Sequence, residues 1–93
     1  MRIVICDDNP RDNQIINQYV ISNFDEYSED VVDSTYSAND LINFCLKVEP
    51  DILFLDIELG DMNGIELAKA LRSKYPTLII VDITNPVSYT HLT

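Results

Sequence analysis

The run Ile52-Leu53-Phe54-Leu55, closed by Asp56, constrains this chain more than any other stretch. Four consecutive apolar residues cannot form a strand with one face in water, because such a strand alternates apolar and polar side chains. The run therefore predicts a strand covered on both faces. Ile3-Val4-Ile5-Cys6, which ends on Asp7 and Asp8, and Leu78 to Val81, which leads through Asp82 and Ile83 to Thr84 and Asn85, repeat the pattern. Val31 to Tyr36 mixes Val31, Val32, Thr35 and Tyr36 with Asp33 and Ser34, which suits a strand at the edge of the sheet.

Helices are predicted between these runs. Asn9-Pro10-Arg11-Asp12 reads as a helix start, with Ile15, Ile16, Tyr19 and Val20 as its apolar side and an end near Ser22 to Phe24. Asp25 to Asp30 reads as an acidic loop. Ser37-Ala38-Asn39-Asp40 has the form of a capping box ahead of Leu41, Ile42, Cys45 and Leu46, and Glu49-Pro50 stops that helix. Asn63 caps a third helix that reaches the sheet through Ile65, Leu67, Ala68 and Leu71, with Arg72 and Lys74 in its last turn and Pro76 as a stop. Strands alternating with helices, joined by right-handed crossovers, imply an α/β fold with a doubly wound, largely parallel sheet.

Six basic residues against sixteen acidic ones give a net charge of −10. That charge repels phosphate backbones and anionic lipids, so direct binding to nucleic acid or membrane is not expected. It suits a divalent cation. Cys6 falls in an apolar run and Cys45 on an apolar helix face, without metal-ligand spacing, so both read as small buried hydrophobes in a reducing compartment. No apolar run reaches membrane-spanning length and no signal segment opens the chain, so a cytoplasmic location is expected.

In a parallel sheet, Asp7, Asp8, Asp56 and Thr84 arrive at the same edge, where open α/β sheets place ligands. Clustered carboxylates repel one another unless protons or a cation offset the charge, and ligands that are all oxygen favour a hard ion such as Mg2+. A carboxylate beside such an ion can attack phosphorus as a nucleophile.

At these residues the sequence resembles the receiver domain of bacterial two-component response regulators. The resemblance rests on Asp7-Asp8, on Pro50 to Asp56, on Met62-Asn63-Gly64-Ile65-Glu66-Leu67-Ala68 with Leu71-Arg72, and on the strand ending in Thr84. It implies that Asp56 accepts a phosphoryl group from a histidine kinase or phosphotransfer protein. It also implies that Asp8 binds Mg2+ directly, that Asp7 does so through water, that the backbone carbonyl of Glu58 completes the protein ligands, and that Thr84 is the switch hydroxyl. The fold it implies is the flavodoxin-like one with strand order 2-1-3-4-5. The loop Glu58 to Gly64, with Gly60 where many receivers have Pro, looks most like receivers joined to a LytTR-type DNA-binding output.

Against that pattern the chain is expected to be incomplete, with order 2-1-3-4 and without the fourth helix, the fifth strand with its Lys, and the fifth helix. Lys47, Lys69 and Lys74 fall in helical segments and do not replace that Lys. Residues 1–85 are thus read as the receiver domain. Residues 86–93, including Val87 to Thr93 and the sole histidine His91, read as a non-native tail resembling translated sequencing adapter. The output domain is expected outside this chain. The chain is not expected to be a conventional enzyme.

Two alternatives stand beside this reading. A pseudo-receiver that only binds partners would fit the absent Lys. A haloacid-dehalogenase-like phosphatase would need Asp-x-Asp after the first strand, where this chain has adjacent Asp7-Asp8. A dinucleotide site lacks its Gly-rich turn.

Overall fold

Parallel strands cannot be joined by a tight turn, so each apolar run must be followed by a crossover long enough to return the chain to the same end of the sheet. A computed structural model, which describes residues 1–23 and 31–83, shows how the chain meets that requirement. The order is β1 (Arg2–Cys6), α1 (Pro10–Asn23), β2 (Val31–Thr35), α2 (Ala38–Lys47), β3 (Ile52–Leu55), α3 (Gly64–Lys74) and β4 (Ile79–Asp82). The strands pair in the order β2-β1-β3-β4, every pair parallel. This is the expected α/β sheet with order 2-1-3-4. Thr84, the acidic loop Asp25 to Asp30 and the tail lie outside the described residues.

Successive side chains of β1 face opposite ways, and each face meets its own helices. Val4 and Cys6 join Leu53 and Leu55 of β3 against Leu41 and Cys45 of α2 and Leu67 and Leu71 of α3. Ile3 and Ile5 join Phe54 against Ile16 and Val20 of α1, together with Ile83. Burial on both faces explains why the runs are uninterrupted. β2 lies at one edge, as its mixed composition predicts, and β4 forms the other edge of the described sheet, where Asp82 is exposed.

The helix starts follow the sequence. Asn9 Oδ1 accepts from the amides of Arg11 and Asp12 at 2.9 and 3.2 Å, Ser37 Oγ from Asp40 at 3.0 Å, and Asn63 Oδ1 from Ile65 at 2.8 Å. The apolar faces need correction. Ile15 and Tyr19 of α1, Leu46 of α2 and Ile65 of α3 are exposed rather than packed on the sheet. The buried stripe of α1 is Asn13, Ile16 and Val20, three positions spaced by three and four residues. A stripe that narrow suits a helix that meets a single layer along one line, and the flanking apolar residues fall outside it. Cys6 and Cys45 are free, buried thiols, and burial pushes the Cys6 thiol up to about 12.

Candidate metal centre

β1 and β3 are neighbours in register, with Cys6 opposite Leu55, so the residue after each strand emerges at the same place. The Asp56 amide donates to the Cys6 carbonyl at 2.9 Å, and the Asp7 amide to the Thr35 carbonyl at 3.2 Å. Asp7 and Asp56 therefore leave the sheet side by side, with Asp8 one residue further out. One carboxylate oxygen from each of Asp7, Asp8 and Asp56 can be chosen so that all lie within 4.8 Å of one another. Two oxygens on opposite sides of one Mg2+ stand about 4.2 Å apart, twice a ~2.1 Å bond, so the cluster has the scale of a single small ion with water among its ligands.

Electrostatics point the same way. Asp7 is almost fully buried, and that burial, with repulsion from Asp56 and other acids, pushes its carboxyl from 3.8 up to about 6, although the Asn9 amide at 2.9 Å from Oδ1 opposes the rise. Asp7 Oδ2 is buried with no hydrogen-bond partner. Burial also raises the Asp56 carboxyl, against the Glu58 amide that donates to Oδ1 at 2.9 Å, and Asp8 adds to the rise by repulsion. An orphaned buried oxygen beside two further acids costs free energy in the absence of a counter-charge, and either a proton or a bound cation removes the cost. Among the described residues none of the three acids is ion-paired. Lys47, Lys69 and Lys74 lie in α2 and α3, as expected.

The loop from Ile57 to Asn63 closes the site. Its base is held by the Glu58–Asn63 bridge and by the Gly64 amide, which donates to the Ile57 carbonyl at 2.9 Å. A side chain at position 64 would begin 2.3 Å from the Ile57 backbone, so only glycine permits this closure. Gly60 passes Asp8 closely enough that a Cβ there would stand 3.5 Å from Asp8 Oδ2. Glu58 follows Asp56 by two residues, and its amide donates to Asp56 Oδ1 at 2.9 Å.

Sequence reasoning missed Asn13 and Asp61. The buried Asn13 amide group donates to the carbonyls of Asp7 and Thr35 at 3.1 and 2.8 Å, locking α1 to the ends of β1 and β2. Its signal was a polar residue in phase with Ile16 and Val20. Asp61 reaches the start of α2. Nothing in its local sequence marks that contact.

Residues 3–91 match the family model of the response regulator receiver domain, and the chain belongs to that family. It is 38% identical over 47 residues to the DNA-binding transcriptional regulator NtrC of Proteus hauseri, covering 50% of this chain and 10% of that protein. Over 81 residues it is 26% identical to a protein-glutamate methylesterase/protein-glutamine glutaminase of Archaeoglobus fulgidus, covering 87% of this chain and 22% of the relative. The chain thus spans a quarter or less of these relatives.

The fold matches that of the response regulator TrrA of Thermotoga maritima in complex with Mg2+ and BeF, with a TM-score of 0.76 at 19% identity over 98% of this chain and 76% of that one. TrrA has also been solved in complex with the histidine kinase ThkA, and there the TM-score is 0.74 at 21% identity, over 87% of this chain and 66% of that one. Order 2-1-3-4 corresponds to an incomplete flavodoxin-like receiver fold. The phosphatase alternative finds no support among these relatives. Among the described residues, no helix is long and apolar enough to cross a membrane.

Proposed function

We propose that this chain is the phosphoacceptor module of a two-component system, taking a phosphoryl group on Asp56 from a phosphohistidine of a histidine kinase or phosphotransfer protein. The observation that carries the reading is the convergence of Asp7, Asp8 and Asp56 at the ends of β1 and β3, with none of the three ion-paired among the described residues.

In the proposed step an Asp56 carboxylate oxygen attacks phosphorus. The P–O bond to Asp56 forms as the P–N bond to the donor imidazole breaks, and the imidazole leaves with the electron pair. Asp8 and the Glu58 carbonyl would hold Mg2+ directly and Asp7 through water, and the ion would offset the charge of the acids and of the phosphoryl oxygens. The Glu58 amide fixes the Asp56 carboxyl for the attack. Thr84 would hydrogen-bond the phosphoryl group once it is in place and start the conformational switch. The likeness to NtrC, a DNA-binding transcriptional regulator, supports a DNA-binding output elsewhere in the full protein, controlled by this module. A cytoplasmic setting is part of the same proposal. The module assists its own phosphorylation and is not a conventional enzyme.

The test uses a small phosphoramidate donor. The full chain is expected to gain acid-labile phosphate with Mg2+, and to lose that gain with a chelator or in Asp56→Asn. Equal labelling of Asp56→Asn would sink the reading. Failure of the unaltered protein to label would favour the pseudo-receiver, which binds partners without chemistry.

A further inference from the structure

The first amides of a helix have no partners inside it, and in α2 those of Ala38, Asn39 and Asp40 find partners outside the helical ladder. The Asp40 amide donates to Ser37 Oγ at 3.0 Å, and the Leu41 amide opens the helical ladder on the Ser37 carbonyl at 3.0 Å. The other two are met from a different connection. The Ala38 amide donates to Asp61 Oδ1 at 3.0 Å and the Asn39 amide to Asp61 Oδ2 at 3.1 Å. Asp61 belongs to the loop that closes over the acid cluster.

That loop is firmly tied at its base, through Glu58, Asn63 and Gly64, and less so at its tip. Leu59 packs against the core cluster that contains α2 and α3. Among the described residues, the hydrogen bonds that join the tip to another element are the two made by Asp61. The next residue back, Gly60, is the one whose backbone lies beside Asp8.

We infer that Asp61 is a positioning residue for the metal centre: by gripping the first two amides of α2 it fixes the loop tip, and with it the Gly60 backbone, against Asp8. The inference rests on the Mg2+ reading of the acid cluster. The two amides hold the Asp61 carboxyl below the usual carboxylate range, and a negative charge at a helix start is favourable, so the grip persists at neutral pH. α2 and the metal loop then move as one unit. A displacement of the tip must be felt at Ala38 and Asn39.

Mg2+ affinity of the full chain, measured by titration calorimetry at a temperature where every variant is folded, separates this role from simple helix capping. Ser37→Ala removes the other cap of α2 without touching the loop. Asp61→Ala is expected to weaken Mg2+ binding about tenfold, as loss of a supporting partner behind a metal ligand does. Asp61→Asn, which keeps one acceptor oxygen, should fall between, while Ser37→Ala keeps the parental affinity despite a lower melting temperature. Unchanged affinity in Asp61→Ala would overturn the inference alone, as would an equal loss in Ser37→Ala. Equal losses in Asp61→Ala and Asp61→Asn that vanish at high ionic strength would assign the effect to charge and overturn it too. If the unaltered chain binds no Mg2+, the proposed function fails first.

Discussion

The two ends of the sheet carry acids in opposite circumstances. At the amino end, the Arg2 guanidinium meets Asp33 at 3.1 Å and the Arg2 amide donates to Asp51 Oδ2 at 2.7 Å, so each acid has a positive or hydrogen-bonding partner. At the carboxyl end, Asp7, Asp8 and Asp56 face one another, and burial raises the carboxyls of both Asp7 and Asp56, with repulsion from Asp56 adding to the rise at Asp7 and repulsion from Asp8 to that at Asp56. The contrast separates acids that fasten strands together from acids that wait for a counter-charge. Local sequence does not distinguish Asp51 from Asp56, since both flank the apolar run of β3.

The largest test of the contrast is metal linkage. An ion that binds the folded chain alone stabilises it by about 2.7 kcal/mol at a hundredfold excess over its dissociation constant. Mg2+ is therefore expected to raise the denaturant midpoint of the unaltered protein and of Asp33→Asn, but not of Asp8→Ala. A midpoint that ignores Mg2+ in all three would remove the distinction between the two ends.

A somewhat smaller effect comes from pH. Asp7 holds its proton more tightly when folded, at about 6 against 3.8, so the folded state binds more protons between those values. Stability of the metal-free protein is present below the lower value and is lost as pH rises through about 6, by roughly 1–3 kcal/mol from this group. Asp7→Asn, whose side-chain oxygen can still accept from Asn9, should flatten that fall and stabilise the metal-free protein at neutral pH. Urea titrations in chelator at pH 4.5 and 7.5 measure it. A steeper fall in the variant would contradict the assignment.

The smallest effect belongs to the amino end. The Arg2–Asp33 pair is partly exposed, so screened attraction between the two is worth about 0–1 kcal/mol. Asp33→Asn should shift the melting temperature slightly, and less in high salt. A loss as large as that produced by removing the metal would show that this end is no mere fastening.

How much of this was legible beforehand depends on which interactions were local. The uninterrupted runs of β1 and β3 announced strands buried on both faces, and Asn9, Ser37 and Asn63 announced the helix starts, because a cap acts on amides two or three residues away. The acids at the strand ends became a cluster once parallel pairing was assumed. The phase of each helix was less legible. Ile15, Tyr19, Leu46 and Ile65 lie beside the buried stripes, and periodicity alone drew those stripes too wide.

The sequence by itself determined the alternation of strands and helices, the helix starts, and which carboxylates end the central strands, because hydrophobic runs and caps act within a few residues of chain. Tertiary structure alone decided the burial of Asn13 beneath Asp7, the orphaned oxygen of Asp7, and the reach of Asp61 to the amides of α2. Those depend on the distance between segments far apart in sequence. Only the packed sheet sets that distance.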